Sequence, residues 1–128
     1  MARVLVADND KEVNLLLTQL LRAEGHDVVS VGDGMQAVAA LSEPMDLLVC
    51  DLDMPELDGF GVLRRLADAP APPQVLIITG YADAGVERQL EACTLVRRVW
   101  RKPFDLGEFL AHVAELCGGS SVSREVGW

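Results

Sequence analysis

Short apolar runs alternate with stretches of helical periodicity along nearly the whole chain. Arg3-Val4-Leu5-Val6-Ala7 is the first run, and it stops at Asp8-Asn9-Asp10. Val13, Leu16, Leu17, Leu20 and Leu21 then recur at helical spacing, with Gly25 as the stop. A second strand is expected over 27–31, a turn at Gly32-Asp33-Gly34, and a short helix over 35–42 built on Ala37, Val38 and Leu41. The third strand, 46–50, is apolar from Leu47 to Cys50, as a strand buried on both faces requires. A helix over 59–67 turns Phe60, Leu63 and Leu66 inward before Pro70, Pro72 and Pro73 break the chain. The fourth strand, 74–78, runs into Thr79-Gly80, and a weakly amphipathic helix covers 83–92. The fifth strand, 95–100, runs into Arg101-Lys102-Pro103-Phe104. Asp105, an N-cap type, opens a last helix with Leu106, Phe109, Leu110, Val113 and Leu116 on one face.

Five strand–helix units in strict alternation predict a parallel sheet with helices on both faces. A chain of 128 residues is too short for a closed eight-fold barrel. The expectation is therefore an α/β, doubly wound (βα)5 sheet of five parallel strands in the order 2-1-3-4-5. Residues 1–117 make one domain. Gly118-Gly119-Ser120-Ser121 opens a polar tail or the start of a linker over 118–128, with only Val122, Val126 and Trp128 bulky.

Composition narrows the function classes. Half the residues are apolar and 24% are charged, the balance of a folded globular chain. The net charge of −9 opposes binding to nucleic acid or to an anionic membrane by this chain alone. No stretch reads as a signal peptide, and no apolar run approaches the ~20 residues of a membrane span. Cys50, Cys93 and Cys117 lack metal-ligand spacing and read as small buried hydrophobes in a reducing, cytoplasmic setting.

Chemistry gathers at the strand ends. In a doubly wound sheet, ligands sit beyond the carboxyl ends of the strands. Four of the five ends carry reactive or small residues: Asp8-Asn9-Asp10, Asp51 with Asp53, Thr79-Gly80, and Lys102-Pro103. Asp51 is there a metal ligand, a nucleophile or both, or else a turn-capping aspartate. Two unit charges ~4 Å apart cost on the order of 4 kcal/mol at an effective dielectric near 20. Such a carboxylate cluster calls for a hard cation, and Mg²⁺ suits oxygen ligands with retained waters. Lys102, one of two lysines beside nine arginines, is a compact charge suited to a phosphate oxygen. Thr79 offers a hydroxyl, and Gly80 leaves room beside it. The plainer alternatives are a surface ion pair for Lys102 and an ordinary strand-end hydroxyl for Thr79.

Residues 3 to about 117 resemble the receiver domain of bacterial two-component response regulators, which has a flavodoxin-like fold. The motifs carrying the likeness are Val4-Leu5-Val6-Ala7-Asp8-Asn9-Asp10, Asp51-Leu52-Asp53-Met54-Pro55 with Asp58-Gly59, Thr79-Gly80, and Lys102-Pro103-Phe104. The resemblance implies that Asp51 accepts a phosphoryl group from a histidine kinase or histidine phosphotransfer protein in an Mg²⁺-dependent reaction. It implies metal ligands at Asp8, Asn9, Asp51 and Asp53, the last through its backbone carbonyl. It further implies that Thr79 turns toward the acyl phosphate, that Lys102 pairs with it, and that the Lys102–Pro103 peptide is cis. Such a domain catalyses only its own phosphorylation and dephosphorylation and is not an enzyme on a separate substrate.

Two positions depart from the pattern. The family usually carries a second acid where Asn9 stands; an amide oxygen brings no charge, which predicts weaker metal binding, with Asp10 and Asp53 as the acids able to restore the field. An acidic side chain at Asp53 is also unusual for the family beside an incoming phosphate, and it is expected to influence dephosphorylation. Val99 stands where many relatives carry a switching Tyr or Phe, while Trp100 should face the opposite way. Signal transmission would then rest on Thr79, the loop after it and the helix at 83–92, or use another surface; the plainer alternative is that Val99 is simply a core residue.

Two other readings compete. Asp51-Leu52-Asp53 also matches the nucleophile and general acid of haloacid-dehalogenase-type phosphatases, against which stand Met54-Pro55 and the lack of a cap. A pseudo-receiver that binds without phosphotransfer is supported only by Asn9. No helix-turn-helix or basic stripe follows the domain, so the expectation is either a single-domain regulator that docks on a protein target or a piece of a larger chain, with a homodimer through residues 83–117 as a further option.

Overall fold

A computed structural model describes residues 2–80 and 82–117, so the expected tail at 118–128 lies outside the described residues. Five strands, β1 (Arg3–Ala7), β2 (Asp27–Val31), β3 (Leu47–Asp51), β4 (Gln74–Thr79) and β5 (Val96–Arg101), alternate with five helices. These are α1 (Lys11–Ala23), α2 (Gly34–Ala40), α3 (Gly59–Leu66), α4 (Ala84–Glu91) and α5 (Leu106–Leu116). All strand pairings are parallel, and the order is β2-β1-β3-β4-β5, as expected.

Side chains of a strand alternate between faces, and here that alternation builds two cores. Leu5, Ala7, Leu48, Cys50, Val75 and Ile77 pack under α2, α3 and α4 against Ala37, Val62, Leu66 and Leu90. Val4, Val6, Leu47, Val49, Leu76 and Ile78 pack on the other face against Leu17 and Leu21 of α1 and Phe109 and Val113 of α5. Strands β1, β3 and β4 are buried on both faces, the reason their sequences read as unbroken apolar runs. In β5 the register skips Arg97, pairing Val75 with Val96 and Leu76 with Arg98. That irregularity re-phases the strand, so Val96 and Val99, three residues apart, face the same core. Trp100 faces the opposite core, where Phe104 and Phe109 lie with ring centroids 5.5 Å away.

The helices share one device. Asp10, Asp33, Asp58, Asp83 and Asp105 are the N-caps of α1 to α5, each carboxylate accepting a backbone N–H of the first turn. Several expected boundaries shift by one or two residues for local reasons. Helix α2 begins at Gly34 because Asp33 is its cap, and it ends at Ala40 because the N–H groups of Ser42 and Glu43 bond three residues back instead of four. Strand β3 starts after Asp46, whose carboxylate accepts the Arg3 N–H at 2.8 Å, and extends to Asp51 itself. Leu16 is substantially exposed on α1, whereas Leu17 and Leu21 form its buried face. Of the cysteines only Cys50 is fully buried; Cys93 and Cys117 are half-buried. No helix among the described residues is long and apolar enough to cross a membrane.

Candidate phosphoacceptor site

The register of β1 on β3 pairs Ala7 with Cys50, so the next residues, Asp8 and Asp51, emerge side by side at the carboxyl edge. Both are buried, Asp8 almost completely. Strand β4 lies on the other side of β3 and ends at buried Thr79, which pairs with Arg101 immediately before Lys102. The Lys102 N–H donates to the Thr79 carbonyl at 2.8 Å, and the Lys102–Pro103 peptide is cis as expected. From there the Lys102 Nζ reaches both carboxylates, 3.1 Å from Asp8 Oδ2 and 3.1 Å from Asp51 Oδ2.

Each acid is held on its other oxygen by a backbone amide: Asp10 N–H to Asp8 Oδ1 at 2.8 Å, and Asp53 N–H to Asp51 Oδ1 at 3.1 Å. Asp8 Oδ2 is buried with the ammonium as its neighbour but without a bond of good hydrogen-bonding geometry. Burial raises the Asp8 pKa to about 6, with the Asp51 charge adding to the rise and the Asp10 amide and Lys102 opposing it. For Lys102, burial alone would lower the pKa, but pairing with Asp51 and Asp8 outweighs it and the net shift is upward. The ammonium therefore stays charged throughout the physiological range.

The structure brings Asp8, Asp51, Thr79 and Lys102 together. Asn9 and Asp53 lie exposed at the rim, Asp53 engaging Asp51 through its backbone. Asp10 caps α1: its Oδ1 accepts the Glu12 and Val13 N–H groups at 3.0 and 3.2 Å. Asn14 was missed by the sequence reading. Its amide donates to the carbonyls of Asp8 at 3.1 Å and Val31 at 2.8 Å, while Thr18 donates to its Oδ1. A polar residue on the sheet-facing side of an otherwise apolar stripe was the available signal.

These residues suit a small hard cation. The orphaned buried oxygen of Asp8 beside the Asp51 carboxylate is a demand for positive charge that one ammonium meets only partly. Among the described residues no three His, Cys, Asp or Glu side chains gather as a metal cluster, which leaves two carboxylates and uncharged oxygens as the donor set.

At the carboxyl edge of a five-stranded parallel sheet, a buried acid pair is thus bridged by a lysine that precedes a cis-proline. The response regulator receiver domain model matches residues 4–114, and the chain belongs to that family. It is 43% identical over 96 residues to protein-glutamate methylesterase/protein-glutamine glutaminase 5 of Myxococcus xanthus, covering 73% of this chain but 27% of that protein. It is 29% identical over 117 residues to the response regulator receiver protein CpdR of Brucella abortus, covering 91% of this chain and 97% of that one. Among solved structures, the receiver domain of the sensor histidine kinase PA1611 of Pseudomonas aeruginosa, with magnesium in its active-site cleft, superposes with a TM-score of 0.81. That match has 22% identity and covers 91% of this chain and 98% of the other. Receiver domains act in two-component signal transduction, interacting with histidine kinases and downstream effectors. Family membership favours this role over the phosphatase reading.

Proposed function

We propose that Asp51 is the phosphoacceptor, taking a phosphoryl group from the phosphohistidine of a kinase or phosphotransfer protein. The observation carrying this is the bridging ammonium: Lys102 Nζ lies 3.1 Å from both Asp51 Oδ2 and Asp8 Oδ2 at a buried strand end. A carboxylate oxygen of Asp51 attacks phosphorus in line, the P–N bond breaks, and its electron pair leaves with the donor imidazole. Such a transfer needs positioning and charge neutralisation more than covalent assistance. Strand β3 and the Asp53 amide orient the carboxylate. Lys102 neutralises charge on the phosphoryl oxygens, and Thr79 supplies a hydroxyl to one of them. Asp8, Asp51, Asn9 and the Asp53 carbonyl would hold Mg²⁺, whose contribution is to screen the acids from the incoming anion. The same groups favour attack of water on the acyl phosphate, so the domain promotes its own dephosphorylation.

An apolar groove lined by Val13, Leu16, Leu17, Pro103, Phe104 and Leu106 runs beside Lys102 and provides docking surface for the donor protein. Incubation with a small-molecule phosphodonor, with and without Mg²⁺, followed by intact mass, tests the reading. One added phosphoryl group is expected, absent without Mg²⁺ and absent in Asp51→Asn. No addition at any Mg²⁺ concentration, from small-molecule or protein donors, would return the chain to the pseudo-receiver reading.

A further inference from the structure

The loop after Asp51 is also held from a side that takes no part in the chemistry. Half-buried Leu57, near its far end, sits between glycines of two helices. A Cβ on Gly34, the buried first residue of α2, would lie 1.7 Å from the Leu57 carbonyl oxygen and 2.6 Å from its carbonyl carbon. A Cβ on Gly61, in the first turn of α3, would lie 2.3 Å from Leu57 Cδ1. The two obstructions differ in kind. A leucine side chain can rotate away, but a backbone carbonyl moves only if the loop or the start of α2 moves with it.

That loop has little slack. Met54 is buried in the core under α3, and Pro55 has a restricted φ. The Pro55 carbonyl accepts the Leu57 N–H at 2.8 Å and faces the Gly34 N–H at 3.5 Å. Glu56 is held at φ 70°, a left-handed conformation that is unfavourable for a non-glycine residue and persists only where the surroundings impose it. At the near end the Asp53 N–H meets Asp51 Oδ1 at 3.1 Å. A shift at Leu57 therefore reaches Asp53 within four peptide units, three of them flanking a buried or ring-locked residue.

We infer that Gly34 is a positioning residue for the Asp51 site. By admitting the Leu57 carbonyl against the start of α2, it sets the loop that presents the Asp53 amide to Asp51. Its consequence for phosphorylation rests on the phosphoacceptor reading above; its consequence for the Asp53 amide does not.

The test compares the wild-type chain with Gly34→Ala, Leu57→Ala and, as a remote core truncation, Val113→Ala. Hydrogen exchange at the Asp53 amide is followed by NMR without Mg²⁺, then Mg²⁺ half-saturation from amide shifts, then phosphorylation by a small phosphodonor. Gly34→Ala is expected to speed Asp53 exchange and raise Mg²⁺ half-saturation about tenfold, as loss of an outer support of a metal site does. Phosphorylation should slow about 10- to 100-fold through misplacement at the reacting centre. Leu57→Ala should act in the same direction, and it carries the test if Gly34→Ala does not fold. Val113→Ala should leave all three readouts at wild-type values even if less stable. Wild-type Asp53 exchange and Mg²⁺ half-saturation in a folded Gly34→Ala or Leu57→Ala protein would overturn the inference, as would an equal change in Val113→Ala. A wild type that takes no phosphoryl group would sink the function reading, while the Asp53 comparison would still decide this one.

Discussion

Asp8 shows how a buried carboxyl at the strand edge sets its own stability cost. Its folded pKa, raised to about 6 from 3.8, means the native state binds this proton more tightly than the unfolded chain. The stabilisation that follows is complete below 3.8 and is lost as pH rises through about 6, leaving a buried carboxylate at neutral pH. Asp8→Asn, which removes that charge, should stabilise the Mg²⁺-free protein at pH 7.5 by about 1–3 kcal/mol, with the gain vanishing toward pH 4. Urea unfolding of both proteins across pH checks this. The bare pH profile would not, because burial, with the Arg98 charge adding to it, lowers the His112 pKa. A lowered histidine stabilises the fold above its ordinary value and loses that contribution as pH falls, opposite in sign to Asp8.

At the scale of elements, Asp10 and Leu16 separate helix stability from recognition on α1. Asp10 is the N-cap, so Asp10→Ala should cost roughly 1 kcal/mol in unfolding experiments. Because its carboxylate serves α1, Mg²⁺-dependent phosphorylation by a small donor should stay near wild type in that variant; a large loss would return Asp10 to the metal site. Leu16 contributes little to the core but lines the groove beside Lys102. Leu16→Glu should leave small-donor phosphorylation intact and slow transfer from a phosphorylated donor protein about tenfold or more, since apolar anchors dominate interface energetics. Equal rates from both donor classes would place docking elsewhere. Val99 packs beside Val86 and Leu95 against the core under α4, so in this chain the position is a packing residue.

Across the whole molecule, the sheet is a rigid bed with layers of unequal aromatic content. Phe109 is fully enclosed and touches Trp100 and Phe104, tying α5 to β5 and to the turn that carries Lys102. Phe109→Ala should cost about 3–5 kcal/mol, a large share of the ~5–15 kcal/mol typical of a single domain. Intrinsic tryptophan fluorescence of a Trp128→Phe background, which leaves Trp100 as the reporter, reads the loss through a denaturant titration. The chain's span of relatives varies, from 27% of the Myxococcus methylesterase to 97% of CpdR, so the same receiver module occurs both within longer chains and nearly alone.

Strand runs, helix stripes and the chemistry at strand ends were legible because they are local. Period-2 and period-3.6 patterning is written between near neighbours, and strict alternation leaves few topologies for a chain this short. Four motifs at the ends of β1, β3, β4 and β5 therefore mark residues that the fold brings together. The use each acid is put to was not legible. Five aspartates cap helices, yet only Asp105 was read as a cap, since Asp8 and Asp10 look alike until helix α1 points its amides at one of them. The ammonium shared by Asp8 and Asp51, 51 positions from the latter, and the Leu57 carbonyl lodged against Gly34 arise only when separate elements pack. Their distances depend on how whole elements meet, which no local pattern encodes.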